Sequence, residues 1–138
     1  MADFKKLLVW QKAHALAMGT YQMAKKIRRA RDVAWRAQTI RAALSIPTNI
    51  VEGRRQTTDK EFARFLRIAL NSACELEYHV MVGRDIGVIN EKEAEARLRD
   101  IVEVRRMLHG LLNKLVGRPR PTAVVPSNAS MKAETLRS

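Results

Sequence analysis

Residues 38–53 read Q-T-I-R-A-A-L-S-I-P-T-N-I-V-E-G, and this stretch decides the fold. Its apolar residues recur at helical spacing, which predicts a helix that packs against others. A polar line runs beside the apolar stripe at steps of four, four and three residues. This line predicts a wet seam or a partner surface, or else an ordinary solvated face. The apolar stripe consists of Ile40, Ala43, Leu44, Ile46 and Ile50, and the polar line of Arg41, Ser45, Asn49 and Glu52.

Helical periodicity continues on both sides of this block and predicts three more helices. Ala, Leu, Arg, Lys and Glu dominate, and Gly and Pro are scarce before residue 117, as is typical of a helical protein. In the first helix, Ala13, Ala17 and Ala24 permit close approach of a neighbour. The predicted helices cover about 6–28, 32–52, 58–86 and 90–116.

Capping residues mark the starts of the later helices. Asp32 is a predicted N-cap of the second helix. Thr58 and Asn90 are predicted N-caps of the third and fourth helices, and each is followed three residues later by a glutamate, Glu61 or Glu93. This spacing predicts two capping boxes.

Glycine and proline mark the interruptions and ends. Pro47 lies inside the second helix, where it should kink the helix or widen it locally. Gly53 is predicted to cap the C-terminal end of the second helix, and Gly87 to end the third. The turns therefore fall at about 29–32, 54–58 and 87–90.

Short turns make sequential helices antiparallel neighbours. We therefore predict an all-α fold, an up-down-up-down antiparallel four-helix bundle over residues 1–117. From Arg118 the sequence loses its period and contains three prolines, so residues 118–138 are predicted to be a disordered basic tail that folding does not require.

Charge points to a polyanionic partner. The chain of 138 residues carries a net charge of +12, which indicates nucleic acid or else a merely soluble basic surface. Aromatic residues make up 5%, too few for the stacking platforms that many single-strand binders use. We expect contacts to phosphates rather than extensive base stacking.

The cations form two clusters, one expected at each end of the bundle. Antiparallel topology should bring Arg84 to the end that carries the first cluster, which ranks first because its charge is densest. The first cluster consists of Lys25, Lys26, Arg28, Arg29 and Arg31, and the second of Arg54, Arg55, Lys60, Arg64 and Arg67.

No feature predicts an enzyme, a cofactor or a metal site. The three histidines lie on different predicted helices, and Leu76 stands where a Glu-x-x-His motif ending at His79 needs its glutamate. His79 is expected to be a hydrogen-bonded structural residue. The lone Cys74 excludes an internal disulfide and is expected to be buried as a small hydrophobe.

The location is expected to be the cytoplasm. A single cysteine fits a reducing compartment, no apolar run approaches about 18 residues, and residues 1–14 are too short and too mixed in character for a signal peptide. We expect no membrane partner.

Glu75 and Glu77 require a partner. In the predicted hairpin of the second and third helices, Glu75 lies level with Arg36 and within about a turn of Arg41. We predict a structural ion pair across the helices between Arg41 and Glu75 or Glu77. The alternative is a paired carboxylate acid–base site.

Three blocks together resemble the bacterial four-helix bundle protein family, also called the 23S rRNA intervening-sequence protein family. They are F-K-K-L-L-V-W-Q-K-A at 4–13, S-I-P-T-N-I-V-E-G at 45–53 and E-F-A-R-F-L-R-I-A-L-N-S-A-C-E-L-E at 61–77. The resemblance spans about residues 4–116. It implies a homo-oligomer, typically a five-membered ring of bundles, without established catalytic residues. The chain also resembles the accessory variability protein of diversity-generating retroelements, which binds a reverse transcriptase and nucleic acid.

These observations predict a basic, non-enzymatic homo-oligomer, a pentamer, that binds RNA alone or together with a protein. Its exposed aromatic residues are expected at the interface between copies. The alternative is an adapter that docks a reverse transcriptase. A third interpretation is a structural oligomer without a nucleic-acid role. The aromatic residues in question are Trp10, Tyr21, Trp35, Phe62 and Phe65.

Overall fold

The computed structural model describes residues 3–117 and contains four long helices. Two turns of 3-10 helix, Phe4–Lys6 and Ala30–Asp32, precede the first and second of them, and the described residues contain no strand. The predicted all-α four-helix bundle is confirmed, and the predicted tail 118–138 lies outside the described residues. The helices are α1 (Leu8–Ala24), α2 (Val33–Arg54), α3 (Asp59–Asp85) and α4 (Glu91–Val116).

Each helix contacts two others, in a closed ring of neighbours. α2 packs between α1 and α3, and α4 packs between α3 and α1, which is compatible with the predicted up-down-up-down order. The alanine stripe of α1 is fully buried at Ala13, Ala17 and Ala24. All four helices contribute to the core, whose largest fully buried apolar side chains are Leu16, Ile46, Ile50, Leu66, Leu76, Ile101 and Leu108.

Of the two predicted capping boxes, the one at α4 forms completely, and the one at α3 forms only the bond to the side chain of the N-cap residue. The Thr58 hydroxyl accepts a hydrogen bond from the Glu61 amide at 3.2 Å, while the Glu61 carboxylate turns to Arg64. At α4 both halves of the capping box form, because the Asn90 side chain accepts from the Glu93 amide and the Glu93 carboxylate accepts from the Asn90 amide. These bonds satisfy backbone amides that have no partner inside a helix.

Two helix ends differ from the prediction. α1 ends at Ala24 rather than near residue 28, and the cations that follow belong to the connection to α2. Gly53 does not cap α2 but lies buried inside it, because Phe62 and Phe65 of α3 fill the space of a side chain. A Cβ at Gly53 would lie 2.8 Å from the Phe62 ring.

Asp32 and Pro47 are the two other residues of α2 about which the sequence made a prediction. Asp32 occupies the N-cap position, but its side chain accepts no capping hydrogen bond. Pro47 is buried, and α2 continues through it to Arg54. Proline lacks an amide donor, so the helix forgoes one backbone bond at this position.

Trp35 joins the start of α2 to the end of α3. Its indole Nε1 donates a hydrogen bond to the carbonyl oxygen of His79 at 2.8 Å. The ring lies directly against Gly83, where any side chain would collide with it. This contact needs both the missing Cβ and the long reach of tryptophan, so it fixes how far α3 slides along α2.

Replacing Gly83 with alanine should therefore destabilise the bundle. The new methyl group would displace the Trp35 ring and weaken its hydrogen bond, and we expect a loss of about 1–3 kcal/mol in the free energy of unfolding. Gly110→Ala is the matched control, because Gly110 lies inside α4 with nothing within 4 Å of an added Cβ. The control should gain about 0.5–1 kcal/mol. Urea unfolding followed by circular dichroism measures both, and equal shifts would contradict the Trp35 contact.

Candidate nucleic-acid interface

The connection between α1 and α2 carries the first basic cluster on a fixed backbone. The Ile27 carbonyl accepts a hydrogen bond from Arg36 Nη1 at 2.6 Å, and the Ile27 amide donates to Ala24 at 3.0 Å. The short 3-10 turn Ala30–Asp32 then leads into α2. All five basic residues of the cluster are exposed. The hydrogen bond from Arg36 therefore ties the backbone of the connection to α2, while the charged side chains reach solvent.

This connection faces the α3–α4 turn across a cavity of about 580 Å³. Four of the five cluster residues line the cavity, and the turn supplies the opposite wall through Ile86, Gly87 and Val88. The prediction that the α3–α4 turn reaches the same end of the bundle is thus confirmed. The lining cations are Lys26, Arg28, Arg29 and Arg31.

Positive charge dominates the cavity. Asp32 supplies the single carboxylate of its lining, with its side chain 13% exposed and one oxygen 3.9 Å from Arg31 Nε. Within residues 3–117, neither Lys26, Arg28 nor Arg29 forms an ion pair. A concave surface lined by uncompensated charge of one sign concentrates counter-ions, so it is suited to an anion.

Two predicted members of this site lie outside the cavity lining. Lys25 turns back onto the Tyr21 ring, with its Nζ 5.9 Å from the ring centroid. Arg84 forms an ion pair with Asp85 at 3.2 Å. Both cations lie at this end of the bundle, but their contacts direct them elsewhere.

The second cluster, at the α2–α3 end, has more of its charge engaged. Arg64 lies 3.3 Å from a Glu61 oxygen and its guanidinium stacks over Phe65 at 4.5 Å. Arg54 lies over Phe62 at 5.9 Å, and its Nε is buried without a hydrogen-bond partner among the described residues. Cation–π contacts hold such side chains near the protein surface. The exposed members of the cluster are Arg55, Lys60, Arg64 and Arg67.

The polar line of α2 lies along the seam with α3. The hydroxyls of Ser45 and Ser72 are 2.7 Å apart, and Asn49 Nδ2 donates to the Ser45 carbonyl at 2.8 Å. The interpretation of this line as a seam between helices is thus confirmed for Ser45, whereas Asn49 forms its hydrogen bonds within α2. Arg41, by contrast, is exposed.

The predicted pairing of Arg41 with Glu75 or Glu77 is wrong within the protomer. Glu77 accepts a hydrogen bond from Arg105 of α4, and Glu75 lies 3.4 Å from His79 Nε2 on its own helix. The observed register also differs from the predicted one, because Ser45 lies against Ser72 and not beside Leu66. This register leaves Arg41 level with Leu76, so the pairing is lost because Glu77 turns to α4 and Glu75 to His79, and not because of the shift.

Sequence reasoning missed the partner of Glu77 because only the α2–α3 hairpin was considered. Arg105 lies at the edge of the apolar stripe of α4, in a helix otherwise buried at Ile101, Val104 and Leu108. A cation beside an apolar stripe indicates a partner on a neighbouring helix, and the α3–α4 hairpin supplies it.

The remaining features to report are the lone cysteine, possible metal ligands and possible membrane spans. Cys74 is exposed, so its predicted burial is wrong. Residues 3–117 contain no group of three or more His, Cys, Asp or Glu side chains that could hold a metal ion. None of the helices in the described range is both long and apolar enough to cross a membrane.

Comparison with known proteins identifies a family and a similar fold. The family described as 23S rRNA-intervening sequence protein matches residues 5–110. A crystal structure of a protein of unknown function from the S23 ribosomal protein family of Bacteroides thetaiotaomicron is similar, with a TM-score of 0.72 and 24% sequence identity. The match covers 76% of this chain and 98% of that protein, and at this identity it supports the fold alone. The search of curated proteins gives no match.

The Glu77–Arg105 pair should stabilise the bundle where Arg41 does not. Both side chains of the pair are 30% exposed, so we expect a coupling of about 1 kcal/mol from a double-mutant cycle with Glu77→Gln and Arg105→Gln. Arg41→Gln is the matched control and should change the free energy of unfolding by less than about 0.5 kcal/mol. A large loss of stability in the control together with zero coupling in the cycle would restore the Arg41 pairing.

Proposed function

Because this chain belongs to the family of 23S rRNA-intervening sequence proteins, we propose that it is a non-enzymatic RNA-binding protein of that type. The proposed contact is formed by the members of the first basic cluster that line the cavity, namely Lys26, Arg28, Arg29 and Arg31. The second cluster, with Arg54 and Arg64, is the weaker candidate because its cations are partly engaged by aromatic rings and by Glu61.

One observation carries this proposal: four cations line one cavity with a single carboxylate among them. Mutual repulsion makes such an arrangement unfavourable unless water, salt or an anion compensates it. Phosphates of RNA supply that compensation at regular spacing, and their binding releases counter-ions.

The expected mode of binding is electrostatic and only weakly selective for sequence. Arginine and lysine contacts to phosphates position a nucleic acid without reading its bases. The connection that carries the cations is already held by Arg36 and by the 3-10 turn, so little ordering of the backbone is needed on binding.

Neutralising the cavity should flatten the dependence of RNA binding on salt. The variant replaces Lys26, Arg28, Arg29 and Arg31 with Gln. Its slope of log K against log salt should become less negative by about 0.7 for each phosphate of a single strand that the protein no longer neutralises. The melting temperature should hardly change, because all four side chains are exposed.

The matched control removes the same charge elsewhere. It replaces four exposed cations outside the cavity, the second cluster and the groove between α1 and α4, namely Lys5, Lys6, Lys92 and Lys114, with Gln. Fluorescence anisotropy with a labelled RNA between about 50 and 200 mM salt measures both variants. Equal affinity of the cavity variant and the parent protein at every salt concentration would exclude this cluster as the site.

We further propose that the protein is a homo-oligomer, a pentamer as its resemblance implies, with an interface that does not use all of the predicted aromatic residues. Of those five, Tyr21 alone is exposed, at 42%. Phe62 is 6% exposed and Trp35 bonds to His79, so these aromatics pack inside the protomer. Exposed apolar side chains instead flank a groove between the start of α1 and α4. Leu8 is 58% exposed there and Val102 37%.

A second copy of this chain suits that groove. Its apolar floor includes Leu98 and Met107, and its rim carries two acids and two bases. A rim with both signs of charge can complement a different surface of the neighbouring copy, as the head-to-tail interfaces of a five-membered ring require. The rim residues are Glu95, Arg99, Glu103 and Arg106.

Light scattering at micromolar concentration tests the oligomer and its interface. The parent protein should have about five times the protomer mass, and Val102→Glu should shift it to smaller species by placing a charge on the apolar flank of the groove. Tyr78→Glu is the control, since Tyr78 is exposed on α3 away from the groove. A monomeric parent protein would refute the oligomer.

The groove also favours the alternative role, an adapter that docks a reverse transcriptase. A helix with an apolar face binds into a groove of this kind. If Val102→Glu leaves the assembly intact, the groove is free for a protein partner, and pull-down with parent protein and Val102→Glu then shows whether that partner is lost.

A further inference from the structure

We infer that the cavity between the α1–α2 connection and the α3–α4 turn binds a single-stranded nucleotide unit of RNA, with its phosphate on the connection and its base against the turn. This inference rests on the proposed function and names the form of RNA that the site takes. It follows from the opposite characters of the two walls.

The wall formed by the α3–α4 turn is apolar and open. Ile86 is 59% exposed, among the most exposed large apolar side chains of residues 3–117, and it lines the cavity together with Val88. Ile27 adds an apolar contact from the connection. A phosphate gains nothing from such a wall, whereas the face of a nucleobase gains from burial against it.

The basic wall supplies the phosphate contacts. Lys26, Arg28 and Arg29 are exposed and form no ion pairs in the described part of the chain. Asp32 would repel a phosphate, but it lies beside Arg31 at the start of α2. The phosphate is therefore best placed at the three cations before Arg31, where arginine can bind it with two parallel hydrogen bonds.

Backbone hydrogen bonds hold the turn that carries the apolar wall. Gly87 takes a left-handed conformation with φ of +78°, which permits the amides of Val88 and Ile89 to donate to the Gly83 carbonyl at 2.8 and 3.2 Å. Ile89 is 4% exposed and anchors the turn in the core. A wall held in this way binds a base with little ordering cost.

The size and shape of the cavity favour a single strand. About 580 Å³ is more than a phosphate needs and lies within the usual range of small-molecule sites. In an RNA duplex the bases are stacked and paired, so they cannot enter a cavity of this kind. An unpaired nucleotide can turn its base out and place it against Ile86.

The test measures the binding of three ligands to the parent protein and to a variant in which the exposed apolar side chain Ile86 is replaced. The ligands are labelled decauridine, a ten-base-pair RNA duplex and inorganic polyphosphate, measured by anisotropy and competition at one salt concentration. Ile86→Ser should weaken decauridine binding about fivefold and leave polyphosphate binding unchanged. Leu44→Ser is the matched control, because Leu44 is 41% exposed and lies outside the cavity.

A second variant at Ile86 should change the affinity for decauridine in the opposite direction. Ile86→Trp should tighten decauridine binding about threefold, because an indole stacks on a base, and its added fluorescence should be quenched on binding. The parent protein, which contains Trp10 and Trp35, supplies the background signal.

The outcomes separate this inference from the proposed function. If the four-residue Gln variant flattens the salt dependence but Ile86→Ser and Ile86→Trp bind decauridine like the parent protein, the inference is wrong and RNA binding by the cluster stands. Equally weakened binding of decauridine and polyphosphate by Ile86→Ser would also overturn it. If the parent protein binds no RNA, both the inference and the proposed function fail.

Discussion

The contact of Trp35 with Gly83 is the constraint on which the rest of the structure depends. Trp35 lies at the start of α2, just after the basic connection, and Gly83 lies at the end of α3, just before the α3–α4 turn. The indole packs on this glycine and donates a hydrogen bond to His79. These contacts set the separation between the connection that precedes Trp35 and the α3–α4 turn that follows Gly83. The cavity is the space between those segments, so a packing contact of the bundle fixes the geometry of its charged end.

The close approach of α2 and α3 has a second glycine at its opposite end. The absence of a side chain at Gly53 lets Phe62 and Phe65 pack against the backbone, just as Gly83 lets Trp35 do so. The Ser45–Ser72 contact lies between these two sites. Two glycines and one pair of small hydroxyl side chains thus set the register along most of the seam. Interiors are packed too densely to tolerate a shift of even one residue without disrupting this packing. The rigid bundle can therefore carry a cluster of like charges whose repulsion a looser structure would relieve by moving apart.

Sequence reasoning succeeded where the signal is local. The capping box at Asn90, the glycine end of α3 at Gly87 and the close-packed alanines of α1 all follow from neighbours within one or two helical turns. It also placed the densest charge at one end of the bundle and brought the α3–α4 turn to the same end. It failed for Gly53, because the rings that pack on it belong to α3, and for Glu77, because its partner lies on α4 and not on α2. Counting residues around a short turn does not give the register when glycines let aromatic rings approach the backbone.

The sequence by itself determined the four helices, their class of assembly and the uneven charge, because periodicity, caps and composition act within a few residues. Only the tertiary structure decided that Lys26, Arg28, Arg29 and Arg31 share a cavity with the exposed Ile86. The physical reason is that these side chains meet across segments more than fifty residues apart, whose separation is set by the packing of Trp35 on Gly83 and by no local preference.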